Sequence, residues 1–219
     1  MRQQSKAIGT VALMGGIPTI PTPFLWAWTQ MLQFNAENMG PIHYMRTTTS
    51  FHATARNQIV DQMKGDWVLM LDTDNEFAPD LLYRMLKRVE QHDIDVLTGL
   101  YQFKSYPYGP VLYNWDQNGV PNKITGFQAQ PTDQFNYFPV DVAGAGALFV
   151  KLSVFERILS ELKENPFDII PPLGEDFSFF KRLQKLGIKA WCDPALHVGH
   201  LSYRAVTLND FDKSAYGAR

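Results

Sequence analysis

Several things are scarce in this chain. Only one of its 219 residues, Cys192, is a cysteine. That excludes an internal disulfide and a thiolate zinc cage, and it suits a reducing compartment. No stretch approaches the roughly 18 consecutive apolar residues that mark a membrane span. The opening MRQQSKAIGTVALMGGIPT has one short apolar run that turns into glycine and proline, and reads as a first strand rather than a leader. A cytoplasmic protein with no membrane insertion is the expectation. An excess of one charge is missing too: 20 Lys+Arg face 22 Asp+Glu, a formal net charge of -2. No global field draws the chain to nucleic acid or an anionic surface. Internal repeats and linker-like tracts are absent as well.

What is present is core-forming material. Apolar residues make up 45% and aromatics 13%, which excludes a disordered chain. The length predicts one domain, 1–219. Residues 8–17 are short, β-branched and apolar, and the prolines that follow end a strand. Residues 24–34, FLWAWTQMLQF, are apolar nearly all round and predict a helix buried on most sides. A second strand is expected over 42–48 and an amphipathic helix over 52–64. WVLML, 67–71, reads as a strand covered on both faces. A proline-started helix to about residue 91 follows. Further strands are expected over 95–103 and 140–150, a helix over 153–163, a helix from Asp176 to Leu186 closed by Gly187, and a strand near 188–192. Strand and helix alternate, so an open α/β sheet is predicted, with ligands at the carboxyl ends of its strands.

The chemistry is expected at such a strand end. Asp72, Thr73 and Asp74 follow WVLML directly. Alternation of side chains along an extended chain lets both carboxylates face one way and Thr73 the other. Two carboxylates on one side suit Mg2+ or Mn2+, with waters and phosphate oxygens completing the shell. In WCDPALHVGH, 191–200, Pro194 and Gly199 predict a loop that carries His197 and His200. A single imidazole there is a reasonable partner for carboxylate-bound Mn2+. Asp176 is placed either to cap its helix or to accept a proton, with Glu175 beside it pushing one of the two pKa values upward. Gly144 and Gly146 mark a bulge or a ligand passing close to the backbone, or serve packing alone.

Taken together, strand–DTD–helix, VAGAGALF, GEDFSFFKRLQKLGIKAWCDP and VGH, in that order, resemble the GT-A fold nucleotide-sugar glycosyltransferases. The likeness is to the family-2-like group and its small viral or phage members, and it spans roughly residues 8–201. It implies an α/β fold with a Rossmann-like open mixed sheet flanked by helices, and transfer of a sugar from a nucleoside diphosphate sugar, a UDP-sugar above all, with donor binding over about 1–100, acceptor binding over about 101–201 and a peripheral tail over 202–219. It assigns Asp72 and Asp74 to the metal and diphosphate, His200 rather than His197 to the metal, and Asp176 with Glu175 to catalysis. Pro18, Thr19 and Ile20 fall to the nucleobase, and Arg56 of the ARN segment to base or diphosphate. Thr73, Gly144 and Gly146 join the donor-contact set. The acceptor hydroxyl belongs to a glycan, a protein or a modified nucleobase, and the oligomeric state is left open.

Two other readings compete. Haloacid-dehalogenase-like phosphatases also place DxD after an apolar strand, with the first Asp as nucleophile, but at the first strand rather than after two earlier ones. A catalytically inactive nucleotide-sugar-binding module would have no need of Asp176 and His200.

Overall fold

In the computed structural model the described residues are 7–16, 19–125, 137–202 and the backbone of 205–206. The chain runs β1 (Gly9–Leu13), α1 (Thr22–Asn38), β2 (Ile42–Arg46), α2 (His52–Gln62), β3 (Trp67–Leu71), β4 (Asn75–Phe77), α3 (Leu81–His92) and β5 (Val96–Leu100). There follow β6 (Leu112–Trp115), β7 (Pro121–Lys123), β8 (Phe138–Val140), β9 (Val142–Ala143), β10 (Ala147–Lys151), α4 (Leu152–Arg157, widening into a π turn), α5 (Glu175–Lys185), β11 (Ala190–Leu201) and β12 (Ala205–Val206).

The main sheet has the order β12-β11-β5-β10-β3-β1-β2, with β4 and β8 also paired to β11. β1, β2 and β3 are mutually parallel, β5 and β11 are parallel to each other, and β10 lies antiparallel between β3 and β5. This is the open mixed α/β sheet expected. WVLML shows why it is covered on both faces. Trp67, Leu69 and Leu71 pack toward α1 and α3, with Phe24, Met31, Leu81 and Met85. Val68 and Met70 pack toward α2, α4 and α5, with Ile59, Phe155 and Phe179. The two-residue period of the strand thus feeds two cores, one on each face.

Three elements differ from expectation. α1 begins at Thr22, runs to Asn38 and buries one stripe only, Phe24, Ala27, Met31 and Asn35. Leu25 and Trp26 are 51% and 65% exposed, because a helix lying on one sheet face has a single stripe to cover. Residues 140–150 do not form one strand: the chain turns at Asp141 and again at Gly144–Gly146 before β10. The segment carrying His197 and His200 is not a loop but the long strand β11. Its register with β5 shifts between Asp193 and His197, and that irregularity accommodates Pro194. In the segment expected to be peripheral, Ala205–Val206 pairs with β11. No helix among the described residues is long and apolar enough to cross a membrane.

Candidate active site

Asp72–Asp74 form the turn between β3 and β4, at the carboxyl end of the central strand. The two carboxylates are each 31% exposed, whereas Thr73 is buried. The Asp72 amide donates to the Gly146 carbonyl at 2.9 Å, which anchors the turn to the corner before β10. Thr73 therefore belongs to the wall of the turn.

β4 pairs antiparallel with β11, setting Asn75 opposite His200, so the far end of the chain is laid beside the acidic turn. His200 Nε2 lies 3.7 Å from Asp74 Oδ2. The His200 ring is fixed from behind: Nδ1 donates to the Gln102 carbonyl at 2.8 Å, and Tyr101 meets the ring edge to face at 5.4 Å between centroids. A carbonyl only accepts, so Nδ1 holds a proton, and Nε2 faces Asp74, donating to its carboxylate when the ring is a cation and offering a lone pair when it is neutral. Lys104 Nζ stands 2.5 Å from the same Asp74 oxygen. Burial alone would raise the Asp74 pKa, but hydrogen bonds from His200 and Lys104 outweigh it and lower the value to about 2.

These residues fit a divalent cation in their donor chemistry. Carboxylate plus imidazole suits Mn2+, Asp74 Oδ1 is buried with no hydrogen-bond partner, and a cation already sits on Oδ2 in the form of Lys104. Among the described residues no three His, Cys, Asp or Glu side chains gather as a complete protein cage. A site that borrows ligands from a diphosphate and water is the open kind that such a pair can offer. Asp72 takes another course. Its Oδ1 accepts from Arg56 at 3.2 Å.

Arg56 lies on α2 and is only 2% exposed. Its guanidinium donates to the Ala145 carbonyl at 2.9 Å and stands 3.6 Å from Glu175. The expectation that Arg56 reaches base or diphosphate meets an enclosed side chain, spent on protein groups behind Asp72. Burial depresses its pKa, yet Asp72, Glu175 and Asp176 together raise it on balance.

α5 begins at Glu175, so Asp176 is inside the first turn and is not the N-cap, a position held by Gly174. Asp176 Oδ1 accepts from the Phe177 amide at 2.8 Å. Burial, and then the neighbouring Glu175, raise its pKa to about 6.

Of the roles open to the two glycines, close packing against their own chain is the one in view. A Cβ on Gly144 would come within 2.0 Å of Tyr101 Oη, and one on Gly146 within 3.0 Å of Asp72 Oδ2. Both are buried, so what approaches their backbone is Tyr101 and Asp72 rather than a ligand. Gly146 N–H donates to Tyr101 Oη at 3.1 Å, and burial holds the phenol neutral by raising its pKa.

A cavity of about 150 Å3 opens beside the acidic turn, lined by Met14, Gly15, Ser50, His52 and Asp72–Asp74. Thr19 and Ile20, expected at the nucleobase, are exposed and do not line it; Met14 and Gly15, directly after β1, do. Pro18 lies outside the described residues. His52 had no signal in the sequence, since its partner is distant: Nδ1 is 3.4 Å from Glu175 Oε1. A larger cavity of about 300 Å3 lies on the other side of α5, between Trp115, Phe180 and Ile188. It holds neither Asp72–Asp74 nor Asp176, and the smaller cavity is the one next to the chemistry.

A mixed open sheet flanked by helices, with an acidic turn at the tip of its central strand, is the arrangement of the GT-A fold. The family model described as glycosyl transferase family 2 matches residues 28–159, and the chain belongs to that family. Among solved structures it is similar to GalNAc-T7, crystallised with UDP, GalNAc and Mn2+. The TM-score is 0.59 at 12% identity, over 88% of this chain and 43% of that one. The chain thus spans less than half the length of that relative. Comparison with curated proteins gives no match. Family membership displaces the phosphatase reading.

Proposed function

We propose that the chain moves a sugar from a nucleoside diphosphate sugar, a UDP-sugar, to a hydroxyl of a glycan, protein or modified nucleobase, in a divalent-metal-dependent reaction. The single observation that carries the reading is the meeting of Asp74 and His200, far apart in sequence, at the tip of β3. Asp74 and His200 would hold Mn2+ or Mg2+, which when bound would supply positive charge beside the departing diphosphate. Asp72 shapes the same edge and is held by Arg56. Asp176, with its pKa at about 6, is ionised at neutral pH and basic enough to take the acceptor proton. The acceptor oxygen bonds to the anomeric carbon, the bond from that carbon to the diphosphate oxygen breaks, and the hydroxyl proton passes to Asp176. A single displacement of this kind inverts the anomeric centre. The UDP and Mn2+ crystallised with GalNAc-T7 favour the uridine donor.

The test is melting temperature against UDP-, GDP- and TDP-sugars with and without Mn2+, joined to release of UDP from UDP-sugar. A Mn2+-dependent rise with a UDP-sugar, with turnover lost in Asp176→Asn, is expected. Binding without turnover under any acceptor would favour an inactive module, and no shift with any nucleotide would end the proposal.

A further inference from the structure

The polar side chains lining the cavity beside the acidic turn are those of Ser50, His52, Asp72, Thr73 and Asp74. At about 150 Å3 it is smaller than the roughly 300–1,000 Å3 that takes a whole drug-sized ligand, so it encloses one part of the donor. Its polar wall includes the Asp72 carboxylate, which only accepts hydrogen bonds, and His52, whose side chain is 65% exposed. Glu175 lies 3.4 Å behind His52 Nδ1 and is itself fixed by Arg56. A carboxylate cannot donate, so Nδ1 carries the proton that faces it, and Nε2 is the ring nitrogen left for the cavity. Carboxylates that only accept, with an imidazole nitrogen beside them, suit an occupant that supplies hydroxyl donors.

We infer that His52, positioned by Glu175, accepts a hydrogen bond from a hydroxyl of the donor's sugar diol, on the ribose or on the transferred sugar. The inference rests on the nucleotide-sugar reading above. It gives Glu175 a second duty, as the positioning residue of an imidazole in the donor cavity, and makes His52 a selector of hydroxylated donors.

The experiment measures the dissociation constants of UDP, 2′-deoxy-UDP, 3′-deoxy-UDP and a UDP-hexose with Mn2+ for wild type, His52→Phe and His52→Gln. Loss of one hydrogen bond weakens binding roughly fivefold. If ribose is the occupant, His52→Phe weakens UDP and UDP-hexose alike and removes the penalty that wild type places on one deoxy analogue. If the transferred sugar is the occupant, only UDP-hexose weakens. In either case His52→Gln, which keeps an acceptor, retains most of the affinity. Wild-type binding that is unchanged by His52→Phe for every ligand overturns the inference and leaves the transferase reading intact. A wild-type chain that binds no nucleotide with Mn2+ overturns both.

Discussion

Asp176 and Asp74 are both partly buried carboxylates, yet their pKa values move apart, to about 6 and about 2 respectively. Burial pushes both upward; at Asp176 it prevails and the second carboxylate, Glu175, adds to it, whereas at Asp74 a histidine and a lysine overturn it. If Asp176 takes the acceptor proton, kcat/KM rises about tenfold per pH unit below about 6 and levels off above; a pH–rate profile flat through that region would remove it from the role. Stability follows with opposite signs. The folded state holds the Asp176 proton more tightly than the unfolded chain, so its contribution falls as pH rises from the ordinary 3.8 toward about 6. Asp176→Asn should therefore gain in melting temperature relative to wild type across that window. Asp74 is the reverse: its contribution is complete above 3.8 and is lost as pH falls through about 2. Lys104 on Asp74 competes with any metal that binds there. Lys104→Met is expected to tighten Mn2+ binding roughly two- to fivefold, the size of a partly exposed ion pair, as read by calorimetry. Asp74→Ala should abolish the Mn2+-dependent thermal shift.

At the scale of elements, the corner between β9 and β10 sets Asp72 through the Gly146 carbonyl, and Tyr101 fills the space that a side chain on Gly144 would need. Gly144→Ala should cost about 2 kcal/mol by overpacking, a fall of roughly 6 °C in a domain of this size, while Gly187→Ala, with nothing near its Cβ, carries only backbone strain. This corner also shows what the sequence could disclose. Glycines inside an apolar strand pattern announce that something passes close, but not that it is Tyr101, because that contact joins segments distant in the chain. The buried period of WVLML, the stripe of α3 and the acidic turn are local patterns and could be read directly. β11 could not. Pro194 and Gly199 argue locally for a loop, and only pairing with β5, β8, β4 and β12 makes it a strand. His52 is hidden for the same reason: nothing within α2 tells of Glu175 at the start of α5.

For the molecule as a whole, Arg56 is the joint between the part expected to bind donor and the part expected to bind acceptor. It lies on α2, touches Asp72 after β3, Ala145 before β10 and Glu175 on α5, and is almost fully enclosed. A buried guanidinium among carboxylates adds little net stability compared with an apolar core, yet removing it alone strands the acids. Arg56→Met should therefore cost about 3–5 kcal/mol, lowering the melting temperature by roughly 10 °C. The sharper measurement is the triple variant with Asp72→Asn and Glu175→Gln. If the joint acts through charge, neutralising the acids recovers a large part of the loss, although donor binding stays impaired because Asp72 no longer shapes the cavity edge. A triple variant no more stable than Arg56→Met alone would mean that Arg56 matters for the volume it fills and the carbonyl it binds, and that the two parts are held together by the sheet.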